Sequence, residues 1–508
     1  MRFSGILNHI SALYADFGIG DLGKSAYDFI DFLSEAKQTI WQILPINPTS
    51  FGDSPYQCFS TFAGNPLFIC PKKLVAMDIL SPENIVHNIT FPDNIINYAD
   101  VFALKDKIFR KAYENFAPNA HFLDFASKNV NWLDDYALFT ALKNFFIKER
   151  KYATLPEGEN ADYFYGAVWS TWEKGIAQRE PAAIAHYRDL IADEINYHKF
   201  LQYIFYTQFA ELKAYAAKND ICIMGDIPIF VAYDSADVWA NPELYKLNKN
   251  GLPTTVAGVP PDYFAEDGQL WGNPLYDWKK HADDGYAWWI SRISQALECF
   301  DILRLDHFRG FYSYWEIMYG AKTAKKGKWQ AGPKHELFNA IYDKLGEIPI
   351  VAEDLGIITP QVTKLLNDLN LPAMRVLQFG FDGDAANTHL PHNFDTNNLV
   401  VYTGTHDNDT TEGWYKTATE KTRDHFRRYL NTSGENPAHY LIRTAMLSTA
   451  DTAIIPIQDL LALGSNHRTN TPGTLSSNWQ FRLKKDQLHS HHASHMAYLS
   501  KLSNRNKQ

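Results

Sequence analysis

Three carboxylates stand where chemistry is most easily done. Asp306 lies in RLDHFRG, Glu353 in IVAEDLG and Asp407 in GTHDND, each at the end of a short apolar run. Taken singly, such a residue caps the next helix or pairs with an arginine. Gathered on one face, like charges raise each other's pKa, which is costly unless the groups do chemistry or hold a metal. A magnesium or calcium site is the rival reading. Arg304 counts against it, because residues two apart on a strand point the same way. A guanidinium beside Asp306 repels a cation and favours the anion that a nucleophile requires. His307 and His406 add neutral hydrogen-bond donors suited to sugar hydroxyls. Glu353 has no cationic neighbour in its own run, which suits a carboxyl that must hold a proton. The set is that of a glycosidase: one ionised nucleophile, one protonated acid and a helper.

Such side chains converge only if their elements do. Eight apolar runs of strand length occur, at 5–10, 40–46, 222–229, 300–308, 348–355, 373–381, 399–407 and 453–461. They are rich in Ile, Val and Leu, and most end in Asp, Glu, His or Gln, as buried parallel strands opening onto a functional face do. Helical patterns lie between several of them. Ala26, Phe29, Ile30 and Leu33 follow the helical period, Thr359-Pro360 opens a helix to about Asn367, and 335–345 and 420–447 also read as helical. Eight strands alternating with helices predict an α/β fold, a (β/α)8 TIM barrel. It is irregular, because GDAANTHLPHNFDTNN between strands six and seven shows no helical pattern. Two connections are too long for bare loops. The predicted organisation is a single catalytic barrel over 1–508 with insertions on the C-terminal face of the strands. About 47–221 is a mostly helical subdomain, and about 230–299 an active-site loop and helix around Trp288 and Trp289. HSHHASH at 489–495 reads as a solvated terminal helix rather than a metal tract.

Composition narrows the partners. The 508 residues are 45% hydrophobic and 21% charged, as in an ordinary globular enzyme. A net charge of −10 without a basic run excludes a nucleic-acid footprint. No apolar stretch is long enough for a membrane span, and no membrane partner is expected. Four cysteines without a C-x-x-C pair indicate neither zinc nor a disulfide framework, and a cytoplasmic location is the default. Neither a metal nor an organic cofactor is expected, since the carboxylates are committed to sugar chemistry and no G-x-x-x-x-G-K loop is present. Aromatic residues reach 14%, enough for a cleft that stacks on sugar rings.

Longer motifs carry a resemblance. WQILPINPTSFGDSPYQCFSTFAGNP (41–66), GDIPIFVAYDSADVW (225–239), GVPPDYFAEDGQLWGNPLYDW (258–278), LRLDHFRGF, VAEDLG, VLQFGF, HLPHN and YTGTHDNDTTEGW resemble the amylomaltases, or 4-α-glucanotransferases, of glycoside hydrolase family 77. The resemblance covers nearly the whole chain. ALYADFGIGDLG (12–23), NHRTNTPGT (466–474) and WQFR (479–482) depart from the family pattern. The resemblance implies transfer of α-1,4-glucan segments from a donor maltooligosaccharide to the 4-OH of an acceptor, by retaining double displacement. It implies Asp306 as nucleophile, Glu353 as acid and then base, and Asp407 as the group that holds and distorts the donor ring. The implied carboxyl separation of Asp306 and Glu353 is about 5–5.5 Å. Asp226, Arg304 and His406 match the donor-site shell. Tyr56, Tyr263, Phe264, Trp271 and Asn273 are expected to overhang the acceptor side, with His307 beside the nucleophile. The implied partners are maltooligosaccharides, starch- or glycogen-derived α-1,4-glucans, and glucose as acceptor. The resemblance also implies the short form, with no separate N-terminal domain. The alternative is a retaining α-glucan hydrolase of the amylase type, with the same carboxylates and a wetter acceptor side.

Overall fold

The computed structural model describes residues 2–149, 168–261, 266–474 and 477–505. All eight expected strands form: β1 (Phe3–Leu7), β2 (Ile40–Gln42), β3 (Cys222–Ile227), β4 (Ile302–Leu305), β5 (Ile350–Ala352), β6 (Ala373–Val376), β7 (Leu399–Tyr402) and β8 (Thr452–Pro456). They run parallel in the order β6-β7-β8-β1-β2-β3-β4-β5. A hydrogen bond from Ala352 N to Pro372 O (3.0 Å) brings β5 to the start of β6, nearly closing the ring. This is the (β/α)8 barrel.

The strand alternation sorts side chains into two cores. Leu7, Ile40, Met224, Val351, Met374, Val400 and Ile454 cluster in the interior. Ile6, Trp41, Ile223, Leu303, Ala352, Val401 and Ile455 belong to the larger core shared with the helices. Helix Lys24–Glu35 buries Ala26, Phe29, Ile30 and Leu33, as its period requires. One layer towards the strand ends the interior turns polar: Tyr402 donates to Gln42 Oε1 (2.8 Å), and Asp226 lies opposite Arg304 in the β3–β4 register. Gly225, between Met224 and Asp226, faces outwards. A Cβ there would stand 2.2 Å from the Phe300 ring, so only glycine lets β3 pack at this level.

Among the described residues between β2 and β3 the regular elements are helices, with Tyr98–Glu114, Val130–Glu149 and Ala192–Lys218 the longest. Helix Ala192–Lys218 runs back to the barrel, where Tyr215 meets Tyr27 at 4.9 Å and bonds Asp31 (2.6 Å). Residues 420–447 form two helices rather than one, Glu420–Leu430 and Pro437–Leu447. Asn431 and Gly434 between them take φ of 49° and 94°. The 230–299 stretch holds the expected helix (Ala287–Cys299) but also strands Thr255–Val259 and Gln269–Pro274. These join Ser313–Met318 and Gly327–Ala331, which follow β4, in a four-stranded antiparallel sheet. The tract 489–495 lies mainly in helix Ser490–Leu502.

Candidate active site

Asp306 is the first residue beyond β4 and Glu353 the first beyond β5. Each keeps step with an inward residue two positions earlier, Arg304 and Val351. Backbone bonds lock the two ends together: Asp306 N donates to Ile227 O, Glu353 N to Leu305 O and Phe308 N to Glu353 O, all at 3.0 Å. Between Asp306 and Phe308, His307 takes φ 50°. A non-glycine residue there costs about 1–3 kcal/mol. The left-handed turn accompanies a specific contact: His307 N donates to Glu353 Oε2 and Leu355 N to Oε1, both at 2.8 Å.

The Glu353 carboxyl is pushed up to about 8, chiefly by burial and next by the negative charge of Asp306. Arg304 and the two N–H donors oppose this without cancelling it. Glu353 is therefore protonated at neutral pH, as a general acid requires. We expect any glycosidic cleavage that draws its proton from Glu353 to slow about tenfold per pH unit above roughly that value, as the proton is lost. A donor needing no protonation should lack this alkaline limb. A pH profile with donors of both kinds checks this.

Arg304 is 3% exposed and bridges two carboxylates: Nη1 lies 2.5 Å from Asp226 Oδ2 and 2.9 Å from Asp306 Oδ1. Asp226 Oδ2 also accepts from the Tyr56 hydroxyl (2.9 Å), while its buried Oδ1 has no partner among the described residues. Burial drives the Asp226 pKa up, and Arg304 pulls it back. The Tyr56 phenol stays protonated, because burial first and Asp226 next raise its pKa well above the ordinary value. The Tyr56 ring stacks on His406 at 5.2 Å with 13° between planes, and Trp479 stands 5.6 Å away. Burial keeps both histidines neutral: His406 is shifted down, and His307 falls to about 4. Trp271 meets His307 edge-on at 4.9 Å.

Asp407 projects with 42% of its side chain exposed. Asn470 Nδ2 donates to its Oδ1 (2.6 Å), Arg468 Nη2 to its carbonyl (2.5 Å), and His406 Nε2 is 3.4 Å from Oδ1. A hollow lined by Asn8, His9, Tyr98, His406, Gln458 and Trp479 adjoins the site on the β1–β8 side.

The structure thus brings together Asp226, Arg304, Asp306, His307, Glu353, His406, Asp407, Tyr56 and Trp271. Asn273 has a different task. It is buried, donates to Val231 O (2.8 Å) and accepts from Gln57 (3.3 Å), so its amide braces the loops after β2 and β3. Tyr263 and Phe264 lie outside the described residues. Sequence reasoning missed Arg468, Asn470 and Trp479. The only signal was that 466–474 and 479–482 fall in the loop after the last strand. Among the described residues no three His, Cys, Asp or Glu side chains are grouped to hold a metal ion.

A (β/α)8 barrel with carboxylates beyond β4, β5 and β7, an arginine between two of its acids and aromatic rings around them has the form of a carbohydrate-active enzyme. Residues 8–488 match the family model described as 4-alpha-glucanotransferase. The chain is 45% identical to a 4-alpha-glucanotransferase of Synechocystis sp., over 99% of this chain and 98% of that one. It is 42% identical to that of Thermus thermophilus, over 99% of both. The solved amylomaltase from Streptococcus agalactiae in complex with acarbose superposes with a TM-score of 0.93, at 38% identity and covering 100% of each chain. The chain belongs to the 4-alpha-glucanotransferase family. It is a transferase acting on α-glucans.

Proposed function

We propose that transfer proceeds by retaining double displacement at Asp306 and Glu353, with α-1,4-linked maltooligosaccharides and starch- or glycogen-derived chains as donors. The observation that carries this reading is the asymmetry of the two acids: Asp306 is held on the Arg304 guanidinium, while buried Glu353 is raised to about 8. In the first step an Asp306 oxygen bonds to the anomeric carbon, the glycosidic C–O bond breaks, and Glu353 gives its proton to the departing 4-oxygen. In the second step carboxylate Glu353 takes the proton of the acceptor's 4-OH, whose oxygen displaces Asp306. Two inversions retain the α configuration. Asp407 and the Asp226–Arg304 pair hold the donor ring; Tyr56, expected on the acceptor side, donates to Asp226 and so joins the donor set, and Trp271 faces the acceptor, which is glucose or a glucan end. The catalytic unit is the whole barrel, with both insertions walling its cleft. Four cysteines with no C-x-x-C spacing among them suit a reducing cytoplasm. No helix among the described residues is long and apolar enough to cross a membrane.

Water at about 55 M competes with the acceptor, so a bound acceptor needs the high effective molarity, about 10⁵ M or more, that orientation supplies. Incubated with maltotriose alone, the enzyme is expected to release glucose and build a ladder of longer glucans at constant total reducing ends. Each transfer breaks one glycosidic bond and makes another, whereas each hydrolysis adds one reducing end. Trp271→Ala should raise the hydrolytic share. A rise of reducing ends in step with maltotriose consumed, without longer chains, would favour the amylase-type alternative.

A further inference from the structure

Thirteen tryptophans occur in the chain, and Trp329 is the one exposed tryptophan among the described residues, at 38%. It lies on the edge strand Gly327–Ala331, in register with Trp315, whose ring meets it at 5.2 Å and 62°. One face of the indole is covered, because the Arg309 guanidinium sits 3.9 Å over the ring. Arg309 is 6% exposed and donates to Ile357 O. With one face backed by a buried cation and one edge fixed by Trp315, the opposite face is what remains for solvent. A ring clamped in this way is pre-organised, so a ligand stacking on it loses little freedom in ordering it.

The platform is joined to both catalytic loops. Arg309 comes three residues after Asp306, and Ile357, itself 49% exposed, four after Glu353. We propose that Trp329 is a remote stacking site for α-1,4-glucan chains too long for the cleft, carrying them out past the ends of β4 and β5. The choice of occupant rests on the reading of Asp306 and Glu353 as the catalytic pair. A neutral, flat aromatic surface continuous with their loops meets the apolar face of a glucose ring, and the enzyme's own substrate is the chain that reaches it.

Trp329→Ala and Trp329→Phe in the full-length enzyme test this, with maltotriose as the short substrate and amylose as the long one. Trp329→Ala is expected to keep kcat and KM on maltotriose and to raise KM for amylose about tenfold at unchanged kcat, the scale of one aromatic stacking contact. Trp329→Phe should restore most of the amylose KM. In an Asp306→Asn background, electrophoresis through an amylose-containing gel should retard the Trp329→Ala protein less than its parent. That readout needs no turnover, so it stands even if normal activity of Asp306→Asn removes the catalytic assignment. Unchanged amylose KM and retardation in a folded Trp329→Ala enzyme would overturn the proposal. So would an equal loss on maltotriose and amylose, which would make the ring a prop for Arg309.

Discussion

Asp306→Asn is expected to lower kcat on maltotriose by about 10⁴-fold or more, with the fold intact. The amide nearly matches the carboxylate in shape but cannot form the glycosyl ester. Its oxygen can still accept from Arg304, which keeps its 2.5 Å contact to Asp226, and the side chain is 26% exposed, so little packing changes. Thermal unfolding should stay close to the parent while glucose release disappears. Near-normal turnover would take the nucleophile's role from Asp306.

Glu353→Gln is expected to lose about 10²–10⁴-fold on maltotriose, the range of a general acid. On a donor with a good leaving group, such as a glucosyl fluoride, the loss should be smaller, because that group departs without a proton. The substitution is not silent for the fold. Both Glu353 oxygens accept backbone N–H groups, from His307 and Leu355. Glutamine offers one oxygen, so one buried donor loses its partner at about 1–3 kcal/mol. A purely structural fault would reduce turnover of both donors equally. The split between donors is therefore the decisive measurement, and equal losses would argue against the acid role.

Much of this architecture is legible along the chain. Runs such as FDILRLDHF carry their own reading, since a parallel strand buried on both faces must be apolar and its polar residues collect at the end that opens to the cleft. Arg304 and Asp306 share a face by the strand period alone. The antiparallel sheet was not legible in the same way. Thr255–Val259 contains Gly and Gln269–Pro274 both Gly and Pro, and they read as loop. Thr255–Val259 becomes a strand by pairing on one side with Ser313–Met318, from beyond β4, and on the other with Gln269–Pro274. The break at Asn431 falls in NTSGENP (431–437), where Gly434 and Pro437 are turn signals that the helical period on either side outweighs in a reading by periodicity alone.

The sequence by itself determined the eight strands, the barrel and the three carboxylates at its rim, because strand period and polar termini are local properties. It also placed a cation beside Asp306. Only the tertiary structure decided what supports each acid. The β3–β4 register sets Arg304 between Asp226 and Asp306, the turn at His307 brings two N–H donors to Glu353, and the loop after β8 supplies Asn470 to Asp407. Those partners are far apart in the chain or depend on a turn that residue type does not reveal. The raised pKa of Glu353 follows from its burial and from the nearby charge of Asp306, both properties of the folded barrel.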